Sequence, residues 1–192
     1  MTQPAKVLAP ADVRRLYAAA QRGRYAARNA LIIALSTRAG LRACEIAGLT
    51  WSMTLSANGR VAPLLNVAGT IAKNGRGRHI PVHPELRALL ESVHRQHGRP
   101  LTGPVIRSQR GGHMTPQSIV NWFVKIYASL GMDGCSSHSG RRTFITRAAR
   151  MVSKAGGSLR DVQELAGHRA LTTTERYIEG DRDAQRRLVR ML

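Results

Sequence analysis

Apolar positions along the chain recur mostly at the three- and four-residue spacing of helices that bury one face. The first such stretch, PADVRRLYAAAQ from Pro10, places proline in the first turn and Asp12 at the positive end of the helix dipole. Residues 24–38 form a second helical stretch. Leu31, Ile32, Ile33 and Leu35 crowd together there as core residues do, and Gly40 is placed to close it. A short third helix is predicted at 41–49, with Arg42 and Glu45 three apart on one face. Between residues 51 and 82 the pattern changes. Short β-prone segments near 53–55, 64–67 and 78–82 are separated by Asn58-Gly59 and Asn74-Gly75, dipeptides of tight hairpins, and predict three antiparallel strands. Helical spacing returns at 84–97 and 116–130.

The last quarter, HSGRRTFITRAARMVSKAGGSLRDVQELAGHRALTTTERY at 138–177, holds several helix starts and one candidate nucleophile. Ser136 or Ser137 can cap a helix whose first turn carries His138 and Arg141 on one face. Ser158-x-x-Asp161 and Thr172-x-x-Glu175 have capping-box spacing and predict a short helix on each side of Gly167-His168. Tyr177 then falls in the second turn of the last of these. His168 and Tyr177, nine positions apart, would face different ways on a continuous helix; a break at about 168–171 lets them converge. The tail at 181–192 has the spacing of one more amphipathic helix, apolar at Leu188, Val189 and Leu192. The fold class expected is α+β, mainly helical with a small three-stranded antiparallel sheet, in one domain over 1–192.

Composition agrees with a globular domain, since a hydrophobic fraction of 43% sets disorder aside. Charge changes the picture. Lys and Arg total 30 against 11 Asp and Glu, a net charge of +19, with an isoelectric point near 11.7. Only four of the basic residues are lysine and twenty-six are arginine, whose planar fork suits bidentate contact with phosphate. Such a field attracts nucleic acid whatever its sequence. An arginine-rich composition alone equally suits a ribosome-associated protein. Two cysteines, Cys44 and Cys135, make no disulfide framework and favour a reducing compartment. No apolar run approaches the roughly 20 residues needed to cross a bilayer, and the N-terminus lacks the apolar core of a signal peptide. A cytoplasmic, nucleoid-associated protein with no membrane partner is expected.

Four blocks in fixed order sharpen this: AGLRACEIAGLTW at 39–51, KNGRGRHIPV at 73–82, HSGRR at 138–142 and LAGHRALTTTERY at 165–177. Together they resemble the tyrosine recombinases, the family of phage integrases, chromosome-dimer resolvases and fimbrial-switch invertases, over about residues 7–180. The resemblance implies a recombinase catalytic domain, bacterial or phage-encoded, that cleaves and rejoins double-stranded DNA through a covalent 3′-phosphotyrosine. It implies no cofactor, metal or ATP. It further implies four subunits on two DNA sites, monomeric off DNA, with the tail at 181–192 packed on a neighbour. Its pattern picks out Arg42, Lys73, His138, Arg141 and His168, with Tyr177 as nucleophile and Glu45 bracing Arg42. Most members carry a DNA-binding domain ahead of this one, and the sequence opens directly on the catalytic blocks; the resemblance therefore implies either a catalytic-domain-only protein, as the fimbrial-switch invertases are, or a piece excised from a longer chain.

The residue types suit the chemistry. A phosphodiester under attack gains charge on its non-bridging oxygens, which Arg42, Arg141 and His168 can stabilise. A phenol with an ordinary pKa near 10 must lose its proton as it attacks or be activated by nearby positive charge. His138 can accept that proton or bond a phosphate oxygen. The family pattern places Lys73, in the link between two strands, as the acid that protonates the departing 5′ oxygen. Two departures stand out: Gly140 where the family has leucine, expected to loosen the first turn of its helix, and Arg142 where it often has histidine. Blander readings exist for Glu45 as a surface pair with Arg42, Lys73 as a solvated turn lysine and Tyr177 as a packed aromatic. His79/His83 and His94/His97 have spacings a metal can use but lack accompanying ligands, and GRGR at 75–78 is explained as a hairpin turn. Two other functions suit the same scaffold: a non-catalytic DNA-binding regulator, and a type IB-like topoisomerase.

Overall fold

The structure is a computed structural model that describes residues 4–73, 75–177 and 189–190. Helix α1 (Pro10–Gln21) starts where Pro10 fixes the first turn and the Ala9 amide donates to Asp12 Oδ2 at 3.0 Å. Helix α2 (Ala26–Arg38) is the axis of the fold. Residues 30–37 are all buried, because α1, α4 and α6 surround it. Gly40, with φ of +62°, turns the chain out of α2 under the ring of Phe144, which leaves no room for a Cβ. Helix α3 (Ala43–Gly48) follows at once, with Arg42 as its N-cap.

The sheet has two strands, β1 (Leu64–Val67) and β2 (Arg78–Pro81), antiparallel in the register Leu65↔Ile80 and Val67↔Arg78. The third strand expected near 53–55 does not form. Burial of the Trp51 indole pulls residues 51–53 into a 3₁₀ turn, and Leu55 is left with one isolated bridge to Val61 around the Asn58-Gly59 turn. Leu65, Val67, Ile80 and Arg78 form the buried face of the strand pair, so an arginine occupies a core position opposite a valine.

Helix α4 (Pro84–Gln96) and helix α5 (Pro116–Ser129) end within a residue of expectation. Thr115 Oγ1 caps α5 by accepting from the Ser118 amide at 3.1 Å. Helix α6 (Ser139–Met151) starts later than a cap at Ser136 or Ser137 predicts. Ser136 Oγ accepts from the His138 amide while Ser139 Oγ accepts from the Ser136 amide, so His138 stays just outside the helix. Helix α7 (Leu159–Ala166) opens with the expected capping box, the Ser158 amide donating to Asp161 Oδ2 at 2.7 Å. Helix α8 (Leu171–Glu175) is capped at Ala170, not at Thr172, and Tyr177 lies two positions past its end, not in its second turn. Gln163 Nε2 donates to the His168 and Arg169 carbonyls, holding the link open until Leu171. The tail helix expected at 181–192 falls almost wholly outside the described residues.

Gly140 also departs from expectation. It is buried on α6 with its α-carbon against Ser36 on α2, and a Cβ there would collide with Ser36 Oγ and press on Thr37. The glycine sets the close approach of α2 and α6. An exposed helical Gly→Ala change adds about 1 kcal/mol of helix propensity, whereas forcing a methyl into a packed contact costs about 1–3 kcal/mol. Gly140→Ala is therefore expected to lower the Tm measured by circular dichroism, with part of the loss recovered by adding Ser36→Gly; a raised Tm would mean the helices can part.

Candidate active site

The α2–α3 corner, the β1–β2 link, the start of α6 and the α7–α8 junction meet at one place. Arg141, only 3% exposed, reaches from the first turn of α6 between two helix ends. Its Nη1 donates to the Gly40 carbonyl at 2.6 Å and its Nη2 to the Ala166 carbonyl at 2.6 Å. Helix C-termini carry partial negative charge, so both contacts suit a cation. Burial and the nearby Arg42 push the Arg141 pKa down to about 10, which leaves it charged at neutral pH.

His168 follows Gly167, whose φ of +63° ends α7. Arg141 Nη2 lies 3.1 Å from His168 Nε2, and Thr174 Oγ1 lies 3.0 Å from His168 Nδ1. A guanidinium only donates, so Nε2 accepts and Nδ1 carries the proton, which it gives to the buried Thr174 hydroxyl. The Tyr177 ring stacks on this imidazole, centroids 5.5 Å apart and planes 22° from parallel. Tyr177 also rests on the small apolar cluster around Ile145, Val162 and Ala166. Ser136, His138, Arg141, Arg142, Thr173 and Tyr177 line a hollow of about 570 Å³.

Arg42, at the start of α3, donates from Nη1 to Glu45 Oε1 at 3.1 Å and from its backbone amide to Oε2 at 2.8 Å. Glu45 is fully buried. Burial alone would raise its carboxyl, but the forked contact with Arg78, reinforced by Arg42, outweighs it and holds the pKa below the ordinary range. Lys73 sits exposed in the link between β1 and β2, and makes no hydrogen bond among the described residues. Its charge still reaches His138, whose pKa is lowered first by burial and then by Arg141, Lys73 and Arg42. All seven sequence-selected positions thus gather around one region, Lys73 at its edge.

Two residues escaped the sequence reading. Arg78, inside the GRGR segment taken for a plain turn, donates from both Nη atoms to Glu45 at 2.8 and 2.9 Å. Its signal was the strand alternation, since Arg78 shares the phase of Ile80. Thr174 left no comparable signal, because three consecutive threonines do not show which one faces inward.

Comparison with solved structures identifies the architecture. The Tn1549 transposon integrase in complex with a circular intermediate DNA aligns with a TM-score of 0.75 at 23% identity, covering 100% of this chain and 67% of that one. XerA recombinase aligns with a TM-score of 0.73 at 21% identity, covering 99% and 66%. The fold is that of the tyrosine recombinases. Residues 6–183 match the phage integrase family, and the chain belongs to it. Among curated relatives, tyrosine recombinase XerC of Mesorhizobium japonicum is 36% identical over 156 residues, 79% of this chain and 46% of that protein. XerC of Brucella suis is 30% identical over 179 residues, 90% of this chain and 54% of that protein. The chain spans about half the length of these relatives. No described helix is long and apolar enough to cross a membrane.

Burial, helped by Arg141, Arg42 and Arg78, lowers the His168 pKa from 6.5 to about 4. Below pH 6.5 the unfolded chain takes up a proton that folded His168 refuses, so stability is full above that pH and falls on acidification towards 4. His138 acts in the same direction. The urea midpoint is expected to drop between about pH 7 and pH 4.5, and to drop less in His168→Gln. Equal slopes in the two proteins would place His168 outside the linkage.

Proposed function

We propose that the protein is a site-specific DNA recombinase whose Tyr177 attacks a DNA phosphodiester and forms a 3′-phosphotyrosine. The observation that carries this reading is the stack of Tyr177 on His168, itself bonded to Arg141, beside a hollow that Tyr177, His138 and Arg141 line. Arg42 and Arg141 hold the two non-bridging oxygens. As Tyr177 Oη bonds to phosphorus its proton passes to His138, and the P–O5′ bond breaks. The leaving 5′ oxygen takes a proton from Lys73. Attack by a 5′-hydroxyl of the partner duplex then reverses each transfer. Bond energy is kept in the phosphotyrosine, so the exchange needs neither ATP nor metal.

Burial and three neighbouring cations favour neutral His138 at physiological pH, which supports its use as the proton acceptor rather than as an imidazolium. His168 accepts from Arg141 when no DNA is bound. An incoming phosphate raises the imidazole's pKa and so favours the protonated Nε2 that a third donor requires. Glu45 keeps Arg42 oriented. Double-stranded DNA is the partner, assembled by four copies on two sites, and the protein works in the cytoplasm.

Duplexes enriched by in vitro selection on the wild-type protein, remade with a nick near each candidate scissile phosphate, supply the assay. A covalent protein–DNA adduct is expected with wild type and none with Tyr177→Phe, whose affinity for the same duplex stays within about threefold. Tight binding with no adduct would instead assign the protein as a DNA-binding regulator, and sequence-blind relaxation of supercoiled plasmid would assign it as a topoisomerase.

The net charge of +19 also predicts salt dependence. Log affinity is expected to fall linearly with log salt, losing about 10³-fold or more between 50 and 200 mM; a flat response would leave no room for a broad phosphate footprint.

A further inference from the structure

Arg78 lies outside the six positions to which the reaction was assigned, yet it bridges the two halves of the site. Its Nη1 and Nη2 grip Glu45 Oε1 and Oε2 at 2.8 and 2.9 Å, and its Nε donates to the Leu165 carbonyl at 3.0 Å. Leu165 immediately precedes Ala166, whose carbonyl receives Arg141, and lies three positions before His168. The stem of Arg78 packs on Gly167, where an added Cβ would sit 3.0 Å from Arg78 Cδ. One guanidinium therefore touches the carboxylate that holds Arg42 and the backbone turn that presents His168.

We propose that Arg78 is a positioning residue for strand cleavage, setting Arg42 through Glu45 and the Arg141–His168 pair through the end of α7. This rests on the recombinase reading above. Stability alone is a poor explanation for it, because a buried ion pair is often matched by apolar residues of similar size. Placement is a better one. Glu45 takes a bidentate fork from Arg78, which fixes the carboxylate plane, and that plane fixes the single Nη1 contact of Arg42. The other Arg42 guanidinium donors make no hydrogen bond among the described residues, so they stay available to a phosphate. A lysine at 78 would keep the charge and lose the plane.

The proposal is tested with Arg78→Met and Arg78→Lys in the adduct assay, beside a Glu45→Gln background. Arg78→Met is expected to slow adduct formation about 100-fold, and Arg78→Lys about 10-fold, with affinity for the selected duplex changed less than about threefold. Glu45→Gln is expected to remove most of the effect of Arg78→Met on that rate, because Arg78 acts largely through Glu45; full additivity would overturn the proposal. A second readout needs no DNA. Nitrogen-15 imidazole shifts are expected to show His168 of Arg78→Met titrating closer to its ordinary value than in wild type, since both the nearby charge and the tether of the α7 end are lost. An unchanged His168 titration overturns the proposal, as does loss of duplex binding in step with Tm. If wild-type protein itself yields no adduct the recombinase reading fails, and the His168 titration alone still decides the placement role. Should Arg78→Met not fold, Arg78→Lys carries the adduct-rate readout, and its His168 titration is expected to move less, because only the tether of the α7 end is lost.

Discussion

A single carboxylate with no access to water organises the cations around it. Taking Glu45 out of water costs several kcal/mol, and only well-aligned donors offset that cost. Four are supplied, two from Arg78 and two from Arg42. Because two guanidiniums share one carboxylate, the cluster keeps a net positive charge after every buried oxygen is satisfied. The carboxylate belongs to α3, one arginine precedes α3 and the other comes from β2. Satisfying Glu45 therefore docks the strand pair against the helical layer at the place where the β1–β2 link carries Lys73.

The second cation of the site is held without any carboxylate in direct contact. Arg141 bonds to backbone carbonyls at the ends of α2 and α7, and both ends depend on a glycine in the left-handed region. Gly40 lets α2 stop under Phe144, and Gly167 lets α7 stop against the stem of Arg78. Carbonyl dipoles anchor a guanidinium and leave its full charge in place, whereas a carboxylate would cancel it. The close packing at Gly140 brings the first turn of α6 near enough to α2 for this contact to form.

What was legible in the sequence followed from local rules, and what was not depended on contacts across the chain. Proline at the first turn and the Ser158-Asp161 box fixed α1, α4, α5 and α7 almost to the residue, because both signals act within four positions. The break between His168 and Tyr177 was equally readable from a glycine and a spacing. Thr172-x-x-Glu175 misled because the helix start is decided by Gln163, a side chain on the preceding helix. The third strand failed for a similar reason, since the demand to bury Trp51 overrode the β-propensity of its neighbours. Gly140 was read as a weak helix former, its ordinary local meaning, while its position is decided by Ser36, roughly a hundred positions earlier. The family blocks located Arg42, Glu45, Lys73, His138, Arg141, His168 and Tyr177, but they could not show that Arg78 ties two of the blocks together.

The site is electrostatically unbalanced. Arg42, Arg78 and Arg141 surround one carboxylate, Lys73 adds a further charge beside His138, and both imidazoles are held neutral partly by the repulsion of these cations. Bulk water and salt relieve an exposed surface of this kind, but Arg141 and Arg78 are buried and cannot be relieved that way. On the proposed reading, the phosphate of the scissile linkage is the missing anion. It compensates the guanidiniums, lets the imidazoles recover affinity for protons, and does so most strongly as charge builds on its oxygens during attack. On the same reading, surplus positive charge fixed in the ground state would bind the more highly charged pentavalent phosphorus better than the diester, which is the condition for catalysis rather than mere binding.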